Sequence, residues 1–69
     1  MNISARNQLK GKITAIENGA VNGSVTMLLD GGHQINATIS MGSIHDLGLQ
    51  VGKEATAIIK ATSVMIATN

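Results

Sequence analysis

Apolar and polar residues alternate along most of this chain, in short runs of the length that strands have. From Leu9 to Ile16, the residues Leu9, Ile13 and Ala15 fall on one face and Lys10, Lys12 and Thr14 on the other, a period of two that predicts a half-buried strand. Asn18-Gly19 and Asn22-Gly23 then supply turn chemistry. Ser24 to Asp30 predicts a second strand, with Val25, Met27 and Leu29 sharing a face. Gly31-Gly32 is expected to close a two-residue hairpin into a third strand, His33 to Ser40, where Ile35, Ala37 and Ile39 alternate with Gln34, Asn36, Thr38 and Ser40. After Ser40 the period changes. Met41, Ile44 and Leu47 recur at helical spacing, Ser40 or Ser43 offers a cap and Gly48 a stop, so a short helix is expected. Glu54 to Ala61 and Ser63 to Thr68 predict two further strands separated by a bend near Thr62.

Three strands, a short helix and two strands are the elements of an all-β fold, a small five-stranded barrel of the oligonucleotide/oligosaccharide-binding (OB) type. No proline, low-complexity tract or linker interrupts the pattern, so residues 1–69 are read as one domain. The small residues Ala55, Ala57, Ala61 and Ala67 favour a tight barrel, or two subunits packed face to face. A chain of 69 residues has a core barely able to offset chain entropy, and without cysteine it has no disulfide or thiolate metal site as a staple. Phe, Tyr and Trp are absent while 43% of residues are hydrophobic, so part of the apolar surface is expected to be buried between copies in an oligomer. No run approaches the roughly 20 apolar residues of a membrane-spanning helix, and Met1 to Arg6 lacks the apolar stretch of a signal peptide. A cytoplasmic protein without membrane association is therefore expected.

A net charge of +1 gives no general attraction to nucleic acid or anionic lipid, but its distribution is uneven. Segments 1–16 and 55–69 hold Arg6, Lys10, Lys12 and Lys60 and no acidic side chain, whereas Glu17, Asp30, Asp46 and Glu54 all lie between them. If the two ends meet, cations without local counter-ions beside small hydroxyl residues suit an oxyanion. Other chemistries find less support. Neither Ser4 nor Ser63 has an evident base, His33 and His45 lack metal-ligand spacing, and no Lys-Ser/Thr helix start follows Asp30-Gly31-Gly32 to make a phosphate loop. An enzyme is not expected. Lys10 and Lys12 read as a solvated strand face, and Met1, Met27, Met41 and Met65 as fillers of core or interface gaps. A nucleic-acid-binding OB module fits the fold but would lack aromatic stacking platforms. A purely structural oligomerisation domain would pair its cations with more acids than this chain carries.

The stretch Ile3-Ser4-Ala5-Arg6-Asn7-Gln8-Leu9, taken with Ile59-Lys60-Ala61-Thr62-Ser63-Val64, Ile39-Ser40 and Leu47-Gly48-Leu49 before Gly52, resembles the molbindin family of small cytosolic molybdate-binding proteins. The same Mop-type domain occurs in molybdate-responsive transcription regulators and, more loosely, in molybdate importer ATPases. The resemblance covers essentially the whole chain. It implies an OB-like fold, a hexamer built as a trimer of dimers, and molybdate sites at subunit interfaces. Ser4 and Arg6 from one segment, Lys60, Ala61 and Thr62 from another, and Ser40 from the centre are the binding residues that it implies, with no catalytic cofactor and no direct ligation of the metal. Such a set consists of donors only: a guanidinium fork, an ammonium, hydroxyls and the amides of Ala61 and Thr62. A tetrahedral dianion with four acceptor oxygens suits it. Phosphate near neutral pH keeps a proton that would want an acceptor, sulfate must be rejected by size, and tungstate, nearly equal in size and charge, is expected to be accepted. The resemblance also implies intracellular storage of molybdate for molybdenum-cofactor synthesis.

Overall fold

The computed structural model describes residues 1–69 as a curled four-stranded antiparallel sheet, half of a barrel, with one short helix. Strands β1 (Asn7–Glu17), β2 (Asn22–Leu29) and β3 (Gln34–Ser40) are followed by helix α1 (Met41–Asp46), strand β4 (Glu54–Ile59) and a 3-10 turn over Ala61–Ser63. The sheet order is β3-β2-β1-β4, so the longest strand, β1, lies inside the sheet and pairs with both β2 and β4.

The alternation read from the sequence places the core. Ile13 of β1, Val25 and Met27 of β2 and Ile44 of α1 are the buried side chains, with Ile16, Leu29, Ile35, Ile39, Met41, Leu49, Ala55 and Ala57 packed around them. At roughly 25 cal/mol per Å2, so few buried side chains leave little margin over chain entropy. One expectation for β1 is corrected. Ala15 is exposed and Ile16 turns inward, because the β1–β2 register shifts between Ile13 and Ala15 in a bulge. The loop before β4 holds this kink: the Ile13 N–H donates to Lys53 O at 2.9 Å and the Gly52 N–H donates to Ile13 O at 2.8 Å.

Two turn expectations also shift. Asn22 and Gly23 belong to β2 and not to a turn, and Gly23 is buried under the helix. A Cβ there would stand 2.5 Å from Ile44 Cδ1, 2.9 Å from Met41 Sδ and 3.0 Å from the Glu17 carbonyl oxygen, so glycine lets the α1 side chains pack closely on β2. The Gly31-Gly32 connection is longer than a two-residue hairpin, with Asp30 to His33 lying between β2 and β3. The helix is bounded as expected. The Ser43 N–H donates to Ser40 Oγ at 3.0 Å as an N-cap, and Gly48, at φ +62°, takes the left-handed conformation that ends it.

The fifth strand expected over Ser63 to Thr68 does not form within the protomer. The 3-10 turn, closed by Ser63 N–H donating to Lys60 O at 2.9 Å, directs the chain off β4, and the residues after it have no ladder partner. Val64 keeps extended dihedrals, φ −93° and ψ 129°, while Met65 and Ile66 are 92% and 85% exposed. A radius of gyration of 12.7 Å, against about 11 Å for a compact chain of this length, fits a terminal segment that projects. No helix is long and apolar enough to cross a membrane.

Candidate functional site

The pairing of β1 with β4 brings the two basic segments together. Asn7 opens β1 and Ile59 closes β4, and the two are register partners. In an antiparallel ladder paired Cα atoms are about 4.5–5.5 Å apart, and successive pairs project to opposite faces. The ladder ends at that rung, so Arg6, next to Asn7, and Lys60, next to Ile59, leave the sheet from adjacent backbone positions, Arg6 in a bend and Lys60 at the start of the 3-10 turn. Lys60 is still extended, at φ −62° and ψ 137°, before the 3-10 turn begins at Ala61. Arg6, Lys60, Ser4, Ala61 and Thr62 are all exposed. Five of the six residues expected to bind therefore lie on two neighbouring arms at one end of the sheet.

Side chains next to this pair fix the arms. Asn7 Nδ2 donates to Ile59 O at 3.2 Å across the ladder, and Gln8 Nε2 donates to Ala5 O at 2.9 Å, holding the bend that carries Arg6. Sequence reasoning gave these two carboxamides no role. Both lie within the Ser4-to-Leu9 stretch that carries the family resemblance, which named no role for them.

Ser40 lies elsewhere in the protomer. It ends β3 opposite Asn22, at the sheet end where Glu17 pairs with Ser24. The eleven residues of β1 separate that end from Arg6 and Lys60, roughly 30 Å of strand at about 3.3 Å per residue. The Ser40 hydroxyl is also engaged locally, accepting from the Ser43 N–H and donating to Ser43 Oγ at 2.9 Å. One protomer does not bring Ser40 to the basic arms.

The remaining cations have acidic neighbours. Lys12 is the register partner of Glu54, the Asp30 N–H donates to Lys10 O at 3.1 Å, and these four residues line one concave patch around Gly11. Acids that are distant in the sequence thus return to Lys10 and Lys12 and leave Arg6 and Lys60 as the cationic pair at the sheet end. Lys53 is used structurally, its Nζ donating to Gly48 O at 3.1 Å behind α1. No group of three or more His, Asp or Glu side chains converges as a metal site would require.

Residues 3–66 match the TOBE domain. The chain is 58% identical, over 96% of its own length and 96% of the relative's, to a probable molybdenum-pterin-binding protein of Haemophilus influenzae. Among solved structures, a molybdate-binding protein from Sporomusa ovata superposes with a TM-score of 0.93 at 34% identity, covering 99% of this chain and all of that one. The cytoplasmic molybdate-binding protein ModG, solved with molybdate bound, superposes with a TM-score of 0.85 at 44% identity, covering 88% of this chain and 43% of ModG. With its half-barrel, its basic arms and these matches across nearly its full length, the chain belongs to the TOBE-domain family, in the molbindin or Mop-type group.

Proposed function

We propose that this protein binds molybdate as an intact tetrahedral oxyanion at contacts between its subunits, accepts tungstate nearly as well, and serves as a cytoplasmic store of molybdenum. The observation that carries the reading is the β1–β4 register, which sets the Arg6 and Lys60 segments side by side with no acidic residue among the neighbouring positions. Ser4, Ser40 and Thr62 supply hydroxyl donors, and the backbone amides of Ala61 and Thr62 complete a set that needs no acceptor. Charge-assisted hydrogen bonds contribute about 1.5–3 kcal/mol each against about 0.5–1.5 for neutral ones, so the two cations dominate affinity while hydroxyls and amides define shape.

Assembly follows from the same features. Ser40 reaches such a site only from a second copy, and the exposed Val64, Met65 and Ile66 supply apolar surface for that copy to cover. A hexamer made as a trimer of dimers is the assembly proposed. The site holds no nucleophile with a base, which supports a binding protein over an enzyme. A bare oxyanion is favoured over a pterin because the chain has no aromatic ring to stack on a flat heterocycle. The same lack weighs against single-stranded nucleic acid.

Calorimetry of the wild type and Arg6→Gln with molybdate, tungstate, sulfate and phosphate, alongside sedimentation, tests the proposal. Tight and similar binding of the first two, weak binding of the others, and loss of uptake by an assembled Arg6→Gln are expected. An assembled wild type that takes up no molybdate would overturn it.

A further inference from the structure

The two basic arms would spread apart unless something held them, because each lies beyond the last paired residue of its strand and each carries a positive charge. The half-buried Asn7 spans that last rung, its Nδ2 donating to Ile59 O at 3.2 Å. Ile59 immediately precedes Lys60, and Asn7 immediately follows Arg6, so one hydrogen bond fixes the roots of both cations. Gln8 acts on the N-terminal arm alone, its Nε2 donating to Ala5 O at 2.9 Å.

We propose that Asn7, assisted by Gln8, is a positioning residue that sets the separation of Arg6 and Lys60 and thereby the size of tetrahedral oxyanion the site prefers. This rests on the oxyanion reading given above. Asn7 does not itself touch the anion. Its carboxamide is committed to the cross-strand carbonyl, and its effect is to hold a rigid gap of one width. A gap of fixed width separates molybdate from the smaller sulfate, whereas spread arms hold both loosely. Loss of the brace therefore weakens molybdate and reduces the preference over sulfate together.

The test uses the assembled full-length protein and three variants. Asn7→Leu keeps the size of the side chain and removes the donor, and Gln8→Leu does the same at an exposed position outside the core. Thr14→Val is the control, since Thr14 Oγ1 also donates to a cross-strand carbonyl, Thr26 O at 3.3 Å, but in the middle of the sheet. Molybdate and sulfate dissociation constants are measured by calorimetry for each. Asn7→Leu is expected to weaken molybdate about 3- to 10-fold, the equilibrium factor of one neutral hydrogen bond, and to lower the molybdate-to-sulfate preference by a similar factor. Gln8→Leu should show the same direction with a smaller change, and it carries the test if Asn7→Leu fails to assemble. Thr14→Val should match the wild type. Unchanged preference in both carboxamide variants, or an equal loss in Thr14→Val, would overturn the positioning role while leaving molybdate binding intact. A wild type that binds no molybdate would instead remove the oxyanion reading itself.

Discussion

Lys60→Met separates anion recognition from folding because its two effects have opposite signs. Methionine keeps an unbranched stem and removes the ammonium. In the anion-free protein Lys60 and Arg6 flank the last rung of the β1–β4 ladder, Ile59 opposite Asn7. Like charges on exposed arms in water repel by at most about 1 kcal/mol even at about 4 Å, and less after salt screening. Removing one should leave the anion-free protein as stable as the wild type or slightly more stable. With molybdate bound the sign reverses, since a charge-assisted hydrogen bond of about 1.5–3 kcal/mol is lost, a factor of about 10–150 in Kd. Calorimetry reads that factor directly, and thermal melts with and without molybdate read it by linkage. At molybdate equal to 100 times the wild-type Kd, the wild type gains about 2.7 kcal/mol of stability. A variant weakened about 100-fold gains only about 0.4 kcal/mol at the same concentration. A variant whose anion-free melt drops while its molybdate affinity stays within about twofold would refute the reasoning, because Lys60 would then be a structural residue.

Gly23→Ala should destabilise the fold by about 1–3 kcal/mol in urea denaturation, since its Cβ would intrude between Met41 and Ile44; an unchanged midpoint would show that those two side chains give way without cost. Ser40→Ala removes the acceptor for the Ser43 N–H and should cost about 0.5–2 kcal/mol of stability. Its molybdate affinity, compared at equal assembly, shows whether the hydroxyl also serves a neighbouring copy. The pair Val64→Ser and Ile66→Ser should shift the assembly toward smaller species in sedimentation velocity, since it removes apolar surface that one protomer leaves exposed. An unaltered assembly would mean that the projecting segment is not covered by a partner.

Local signals in the sequence located the elements whose formation depends on local structure. Alternation marked β1 to β3, residue type marked β4, and the Ser40 cap with Gly48 bounded α1, because each depends on residues within a turn or a strand length. What was missed depends on distant backbone. The bulge after Ile13 is held by Gly52 and Lys53, and Asn22-Gly23 is drawn into β2 because α1 closes on Gly23, overriding a local turn preference. The apolar run Val64 to Ala67 favours a strand by residue type but cannot show whether a free edge is within reach. The charge partition likewise identified the basic ends, and the strand alternation with the family resemblance set Lys10 and Lys12 apart from Arg6 and Lys60. What the sequence could not show is the pairing that sets Glu54 opposite Lys12 and Asp30 beside Lys10, because those acids are distant along the chain. The brace from Asn7 to Ile59 spans 52 residues and has no counterpart in local sequence.

The most direct measurement is a crystal structure grown with molybdate, with anomalous scattering recorded at the molybdenum absorption edge. An anomalous peak is expected at a contact between subunits, within hydrogen-bonding distance of an Arg6 guanidinium and a Lys60 ammonium and with no carboxylate against it. An assembly that binds molybdate in solution but shows its anomalous peak away from every Arg6 and Lys60 would contradict it.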